Sequence, residues 1–202
     1  MITEGAGGVA SVHRVQQETP TTAQAAADLV LHRPAGPGGV RVVAVDGPSG
    51  SGKTTLAAAV AAALRARGAS TTEVHMDDLY PGWDGLADAV GLVTTQVLEP
   101  LTAGAPAAFR RWDWVAHTWA ERVPVEAADV VVLEGVGCAS RPCAPHLTAL
   151  VWVEADDHER MRRGIERDGE AYRPHWERWA AQERALFAAE GTRGRADLVL
   201  RT

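Results

Sequence analysis

Short apolar runs alternate along the chain with longer segments whose apolar positions recur every three or four residues. The run Val40-Arg41-Val42-Val43-Ala44-Val45-Asp46 predicts a parallel strand buried on both faces. Similar runs predict strands over 70–76, 130–133, 147–153 and 196–200, and 107–114 is expected to be extended. Helical spacing predicts a capped helix over 23–32 that closes at Pro34, and an alanine-rich helix over 55–67 that Gly68 stops. Asp84 is expected to cap a third helix, whose apolar positions are Leu86, Val90, Val93, Val97, Leu98 and Leu101 and which ends near Gly104. Charged helices are predicted over 156–167 and 175–189. Strands alternating with helices in this way specify an α/β fold with a mostly parallel five-stranded sheet. Residues 1–18 are Gly-rich and polar and are expected to be disordered, leaving 19–202 as one domain.

In such sheets ligands bind outside the carboxyl ends of the strands. At the first of these ends stands Gly47-Pro48-Ser49-Gly50-Ser51-Gly52-Lys53-Thr54, a full match to G-x-x-x-x-G-K-[ST]. Strand, glycine loop and helix together make this a phosphate-binding loop, whose backbone N–H groups point at phosphate oxygens. Gly47, Ser49, Gly50, Ser51, Gly52, Lys53, Thr54 and Thr55 are therefore the candidate ATP-binding residues. The Thr54 hydroxyl is placed to ligate Mg²⁺. The fold class is then the three-layer α/β/α arrangement of P-loop NTPases.

Composition sharpens this reading at one position. Lysine and arginine together number 20 among 202 residues, and Lys53 is the only lysine. A chain that otherwise uses arginine keeps lysine where a compact ammonium reaches the β/γ-phosphates. A net charge of −6 excludes a general nucleic-acid binder, whose footprint is a basic face. No apolar run nears the roughly 20 residues that span a bilayer, and no apolar leader is seen, so a cytoplasmic location is expected. Self-association is left open. Cys138 and Cys143 lack the second pair that a zinc site would need.

Chemistry requires groups beyond the loop. Asp77, at the end of the second strand, is a candidate base that accepts a proton from an attacking hydroxyl, and a candidate Mg²⁺ neighbour. The alternative is a solvated turn before Pro81. Glu134 ends a four-residue apolar run, where an acid holds Mg²⁺ or its waters. Arg160, Arg163 and Arg167 share a helix face within a short Arg-rich lid over about 160–178. Arg163 and Arg167 are the candidate catalytic arginines, against a plain ion-paired surface as the alternative. Seven tryptophans outnumber two phenylalanines and two tyrosines. Trp83 and Trp112 read equally well as core or as rings that stack on a planar substrate.

These segments resemble the uridine kinase branch of the P-loop kinases, which also includes phosphoribulokinase and bacterial pantothenate kinase. The resemblance covers the chain from Val40 onward. His75-Met76-Asp77-Asp78-Leu79-Tyr80 is similar to the family segment that carries the catalytic aspartate, which implies a base at Asp77 and a substrate-pocket role for Tyr80. Trp112-Asp113-Trp114-Val115-Ala116-His117 is similar to the stretch that faces the nucleoside base, which implies substrate contacts from Trp112, Asp113 and His117. Val131-Val132-Leu133-Glu134-Gly135 resembles the strand ending in a magnesium-associated glutamate, and 160–168 resembles the lid helix. The resemblance implies a Mg²⁺-ATP-dependent kinase acting on the hydroxyl of a uridine- or cytidine-like nucleoside. Alternatives are another acceptor (a nucleoside monophosphate, a vitamin precursor, an antibiotic) or a nucleotide-binding regulatory protein without productive turnover.

Overall fold

The computed structural model describes residues 19–169 and 173–202, so the expectation for 1–18 falls outside the described residues. The chain forms strands β1 (Arg41–Asp46), β2 (Thr71–His75), β5 (Val130–Glu134), β6 (Ala149–Glu154) and β7 (Leu198–Arg201). They make one five-stranded sheet in the order β2-β5-β1-β6-β7. Every adjacent pair in it is parallel. These are the five strands that the apolar runs predict.

The central run is continuously apolar because helices cover both of its faces. Val43 and Val45 face a core shared with Ala23, Ala27 and Val30 of α1 (Thr19–His32) and Leu56, Val60 and Leu64 of α2 (Lys53–Ala66). Val42 and Ala44, one residue out of phase, face a second core that includes Leu86, Val93 and Leu98. The same alternation divides β5, with Val130 and Val132 on the first side and Val131 and Leu133 on the second.

Two local features depart from the expected pattern. The helix expected after Asp84 runs as α3 (Leu86–Val93), a π-helical turn (Thr94–Leu98) and α4 (Glu99–Thr102). Pro100 has no N–H to give the preceding turn, and its ring would meet the carbonyl four residues back, so the turn before it widens. The N-cap is Gly85, without a side-chain cap, and Asp84 is ion-paired with Arg178. The second departure is an additional strand. β3 (Ala107–Asp113) pairs antiparallel with β4 (Thr118–Val125) in a separate two-stranded sheet. Charges at Glu121 and Arg122 and the proline at 124 hide β4 in the sequence; Pro124 is tolerated because β4 has a neighbour on one side only.

The charged helices form α5 (Asp157–Asp168) and α6 (Arg173–Glu190). Asp156 caps α5 by accepting a hydrogen bond from the His158 amide at 2.9 Å. Among the described residues no helix is long and apolar enough to cross a membrane.

Candidate functional site

The glycine loop leaves β1 at Asp46 and enters α2 at Lys53. Gly47 has φ 147°, and a Cβ there would lie 2.0 Å from the Val153 carbonyl oxygen. Gly50 has φ 76°, and a Cβ would lie 2.3 Å from the carbonyl oxygen of Arg160 on α5. Both positions therefore require glycine for conformation and for space. Asp46, fully buried, anchors the loop's base. Its carboxylate accepts from the amides of Gly47 at 2.7 Å and of Gly137 and Ala139 at 2.9 Å. This ties the start of the loop to the segment after β5. Burial pushes the Asp46 pKa up to about 6, against the opposing pull of those amides and of Lys53. The Lys53 ammonium donates to the Pro48 carbonyl at 3.1 Å, folding its stem over the loop.

At the end of β5, Glu134 is buried, yet its Oε1 is within 3.3 Å of the Thr54 hydroxyl and 2.8 Å of His75 Nδ1. Glu134 Oε2 and Ser51 Oγ are both buried without a hydrogen bond among the described residues. The carboxylate beside it raises the His75 pKa, in spite of partial burial. An unsatisfied carboxylate oxygen next to a threonine hydroxyl fits Mg²⁺, which takes one or two protein ligands and completes its shell with phosphates and water. Among the described residues no group of three or more His, Cys, Asp and Glu is placed to hold a metal ion by itself.

A cavity of about 650 Å³ opens over this surface. It is lined by Gly50, Gly52, Lys53, Thr54 and Thr55 of the loop and helix, by His75, Asp77 and Glu134, and by Arg163, Gly164 and Arg167 of α5. Arg163 is aimed by donating to Glu159 at 2.7 Å and to the Thr202 hydroxyl at 2.8 Å. Thr202 in turn donates to the Ser51 carbonyl at 3.1 Å. A second cavity of about 340 Å³ adjoins it, lined by Ser49, Asp77, Tyr80, Trp83, Trp114, Arg167 and Trp179. Asp77 and Arg167 line both cavities.

The expected acceptor residues divide between the aromatic cavity and the hairpin. Tyr80 and Trp83 reach the cavity; Trp112, Asp113 and His117 do not line it. Asp113 instead accepts from the Val115 and Ala116 amides, each at 2.9 Å, shaping the β3–β4 turn. His117 is exposed in that turn with φ 50°, and Trp112 packs edge-on against Trp119 at 5.2 Å. The ring that the hairpin does deliver is Trp114, whose indole N–H donates to the Asp77 carbonyl at 2.8 Å.

Arg160, expected to face phosphate with Arg163 and Arg167, is buried beneath the loop. It donates to the Ser49 carbonyl at 3.0 Å and to Glu183 of α6 at 3.4 Å. The Glu183 carboxylate also accepts from the Ser49 amide at 2.7 Å and the Trp179 indole at 2.9 Å. Sequence reasoning missed this clamp. Its signal was an acid in register with Trp176, Trp179 and Ala180 on one buried helix stripe. Asp46 and His75 were missed as well; Asp46, like Glu134, is an acid that closes an apolar strand.

A parallel sheet in this order, with the glycine loop after its central strand and an arginine helix above, is the fold of the P-loop kinases. Solved structures bear this out across nearly the whole chain. A protein from Bacillus stearothermophilus provisionally named a uridine kinase aligns over 89% of this chain and 97% of its own, at 24% identity and a TM-score of 0.64. One from Silicibacter sp. TM1040, provisionally named a fructose transport system kinase, aligns over 92% and 99% at 19% identity and a TM-score of 0.65. A circularly permuted protein from Saccharomyces cerevisiae, provisionally named a P-loop kinase, aligns over 92% and 99% at 11% identity and a TM-score of 0.51. No protein-family profile and no curated protein matches the chain.

Proposed function

We propose that this protein is a Mg²⁺-ATP-dependent small-molecule kinase that phosphorylates a hydroxyl group. The observation that carries the reading is the junction at Asp77 and Arg167, where a phosphate-loop cavity meets a separate aromatic cavity. A carboxylate there faces phosphate on one side and an acceptor on the other, as in-line transfer requires.

Each residue then has a defined task. The amides from Gly50 to Thr55 and the Lys53 ammonium hold the phosphate oxygens of ATP. Thr54 and Glu134 hold Mg²⁺, which when bound offsets negative charge on the phosphates. Asp77 orients the acceptor hydroxyl and takes its proton. The acceptor oxygen forms a bond to the γ-phosphorus as the bond from that phosphorus to the bridging oxygen breaks, and ADP keeps the electron pair. Arg163 and Arg167 reach the same space from α5 and offset charge on the transferring group. Asp46, Arg160 and Glu183 position the loop and touch no reacting atom.

The test is release of ADP by the full chain with Mg²⁺-ATP over a broad panel of hydroxylated metabolites. Release stimulated by at least one acceptor is expected. Nucleotide binding without stimulation by any acceptor would instead assign the chain to nucleotide-binding proteins that do not turn over.

A further inference from the structure

The acceptor cavity is walled by aromatic rings that pack on one another, and three of them turn their polar handles to the protein. The Tyr80 hydroxyl donates to the Val136 carbonyl at 2.9 Å, inside the protein. The Trp114 indole N–H is committed to the Asp77 carbonyl. The Trp179 indole N–H is shared between Ser49 Oγ and Glu183 Oε1, both at 2.9 Å. The lining residues without a ring are Ser49, Asp77 and Arg167. Ser49 belongs to the phosphate loop, and the other two also line the phosphate cavity. The cavity is therefore polar at its phosphate end and aromatic elsewhere.

Resting on the kinase reading above, we propose that the acceptor is an alcohol carried on an apolar, planar body, such as an aryl alcohol, rather than a nucleoside or a sugar. Its ring would lie among Trp83, Trp114 and Trp179, with its hydroxyl at Asp77. Apolar and stacking contacts stabilise such a body in this space. A pyrimidine brings carbonyl and imide groups, and a sugar brings several hydroxyls. Each such group, stripped of water without a partner, weakens binding by roughly tenfold or more. Of the hairpin residues expected at a base edge, Asp113 holds its own turn, His117 stands exposed at the tip, and Trp112 packs on Trp119 outside the cavity lining. Wall chemistry, not cavity size, makes the selection. A wall whose Tyr80, Trp114 and Trp179 donors are turned inward favours a body that needs few polar partners.

The experiment compares acceptor-dependent ADP release for benzyl alcohol and 4-nitrobenzyl alcohol with that for uridine, cytidine and ribose, using the full chain with Mg²⁺-ATP. Quenching of intrinsic tryptophan fluorescence reads binding separately from turnover. We expect kcat/KM for the better aryl alcohol to exceed that for each nucleoside and for ribose by about 10²-fold or more. In Trp114→Ala the aryl-alcohol KM should rise about tenfold while the ATP KM stays within about twofold, and Trp114→Phe should restore most of the loss. A nucleoside or ribose matching the aryl alcohols in kcat/KM would overturn the proposal and leave the kinase reading standing. Aryl alcohols that quench fluorescence without stimulating ADP release would overturn the proposal that they are acceptors, and absence of stimulation by every alcohol tested would count against the kinase reading as well. Aryl alcohols that neither quench nor turn over would overturn the proposal outright.

Discussion

The two cavities are built by opposite means. The phosphate cavity takes Gly50, Gly52, Lys53, Thr54 and Thr55 from one short stretch of the chain, and strand ends and α5 supply the rest of its lining. The aromatic cavity draws on the loop after β2, the β3–β4 turn and α6, which bring Trp83, Trp114 and Trp179 together from distant parts of the chain. The first needs a local backbone shape. The second needs the tertiary fold to be complete before it exists. They share Asp77 and Arg167, and beneath them the Glu183 carboxylate ties the glycine loop to α6 by holding both the Ser49 amide and the Trp179 indole.

That clamp is where the comparison breaks most readily. Glu183→Ala leaves Arg160 without its buried partner and frees the Ser49 amide, with an expected destabilisation of about 3–5 kcal/mol in urea unfolding. Glu183→Gln keeps an acceptor for both N–H groups and should cost clearly less. Equal stability of the alanine variant and wild type would show that the two halves are not tied through α6.

Lys53→Ala addresses the phosphate half alone. It should weaken Mg²⁺-ATP binding by about 10²-fold and remove most of the ATP-dependent rise in Tm. Fluorescence quenching by an aromatic-cavity ligand should be unchanged. Undiminished stabilisation by ATP would contradict the assignment of the loop.

The difference in construction also explains what the sequence made legible. The five parallel strands, the glycine loop, Glu134 and Asp77 were all readable, because each depends on a short run whose burial or turn chemistry is local. β4 was not, since its alternation is masked by Glu121, Arg122 and Pro124 and it is ordered by pairing with β3. The hairpin register shifts between Arg110 and Trp112, and Trp114 lies one residue past the end of β3, in the turn, where strand alternation no longer fixes which way a ring points. Trp114 was thus named only as a flanking residue, while Trp112 was expected at the substrate. Arg160 was misplaced for a related reason. Helical spacing puts it on the face of Arg163 and Arg167, but the close approach of α5 to Gly50 buries the first turn of that face.

A smaller effect separates the loop's anchor from its chemistry. Asp46 has a folded pKa of about 6, above its ordinary 3.8, so between these values the folded chain holds a proton that the unfolded chain has released. Stability from this group is fully present below about pH 4 and is lost as pH rises through about 6. The stability difference between wild type and Asp46→Asn should therefore fall by roughly 2–3 kcal/mol over that window. Parallel pH profiles for the two proteins would remove Asp46 as the titrating anchor.

The central claim is that one carboxylate serves both cavities, and Asp77→Asn tests it most directly. With Mg²⁺-ATP and whichever acceptor gives the greatest stimulation, the variant should keep the ATP-dependent Tm shift of wild type. Its acceptor-dependent ADP release should fall by about 10²-fold or more, the scale of losing a general base. Turnover equal to wild type in Asp77→Asn would contradict the account.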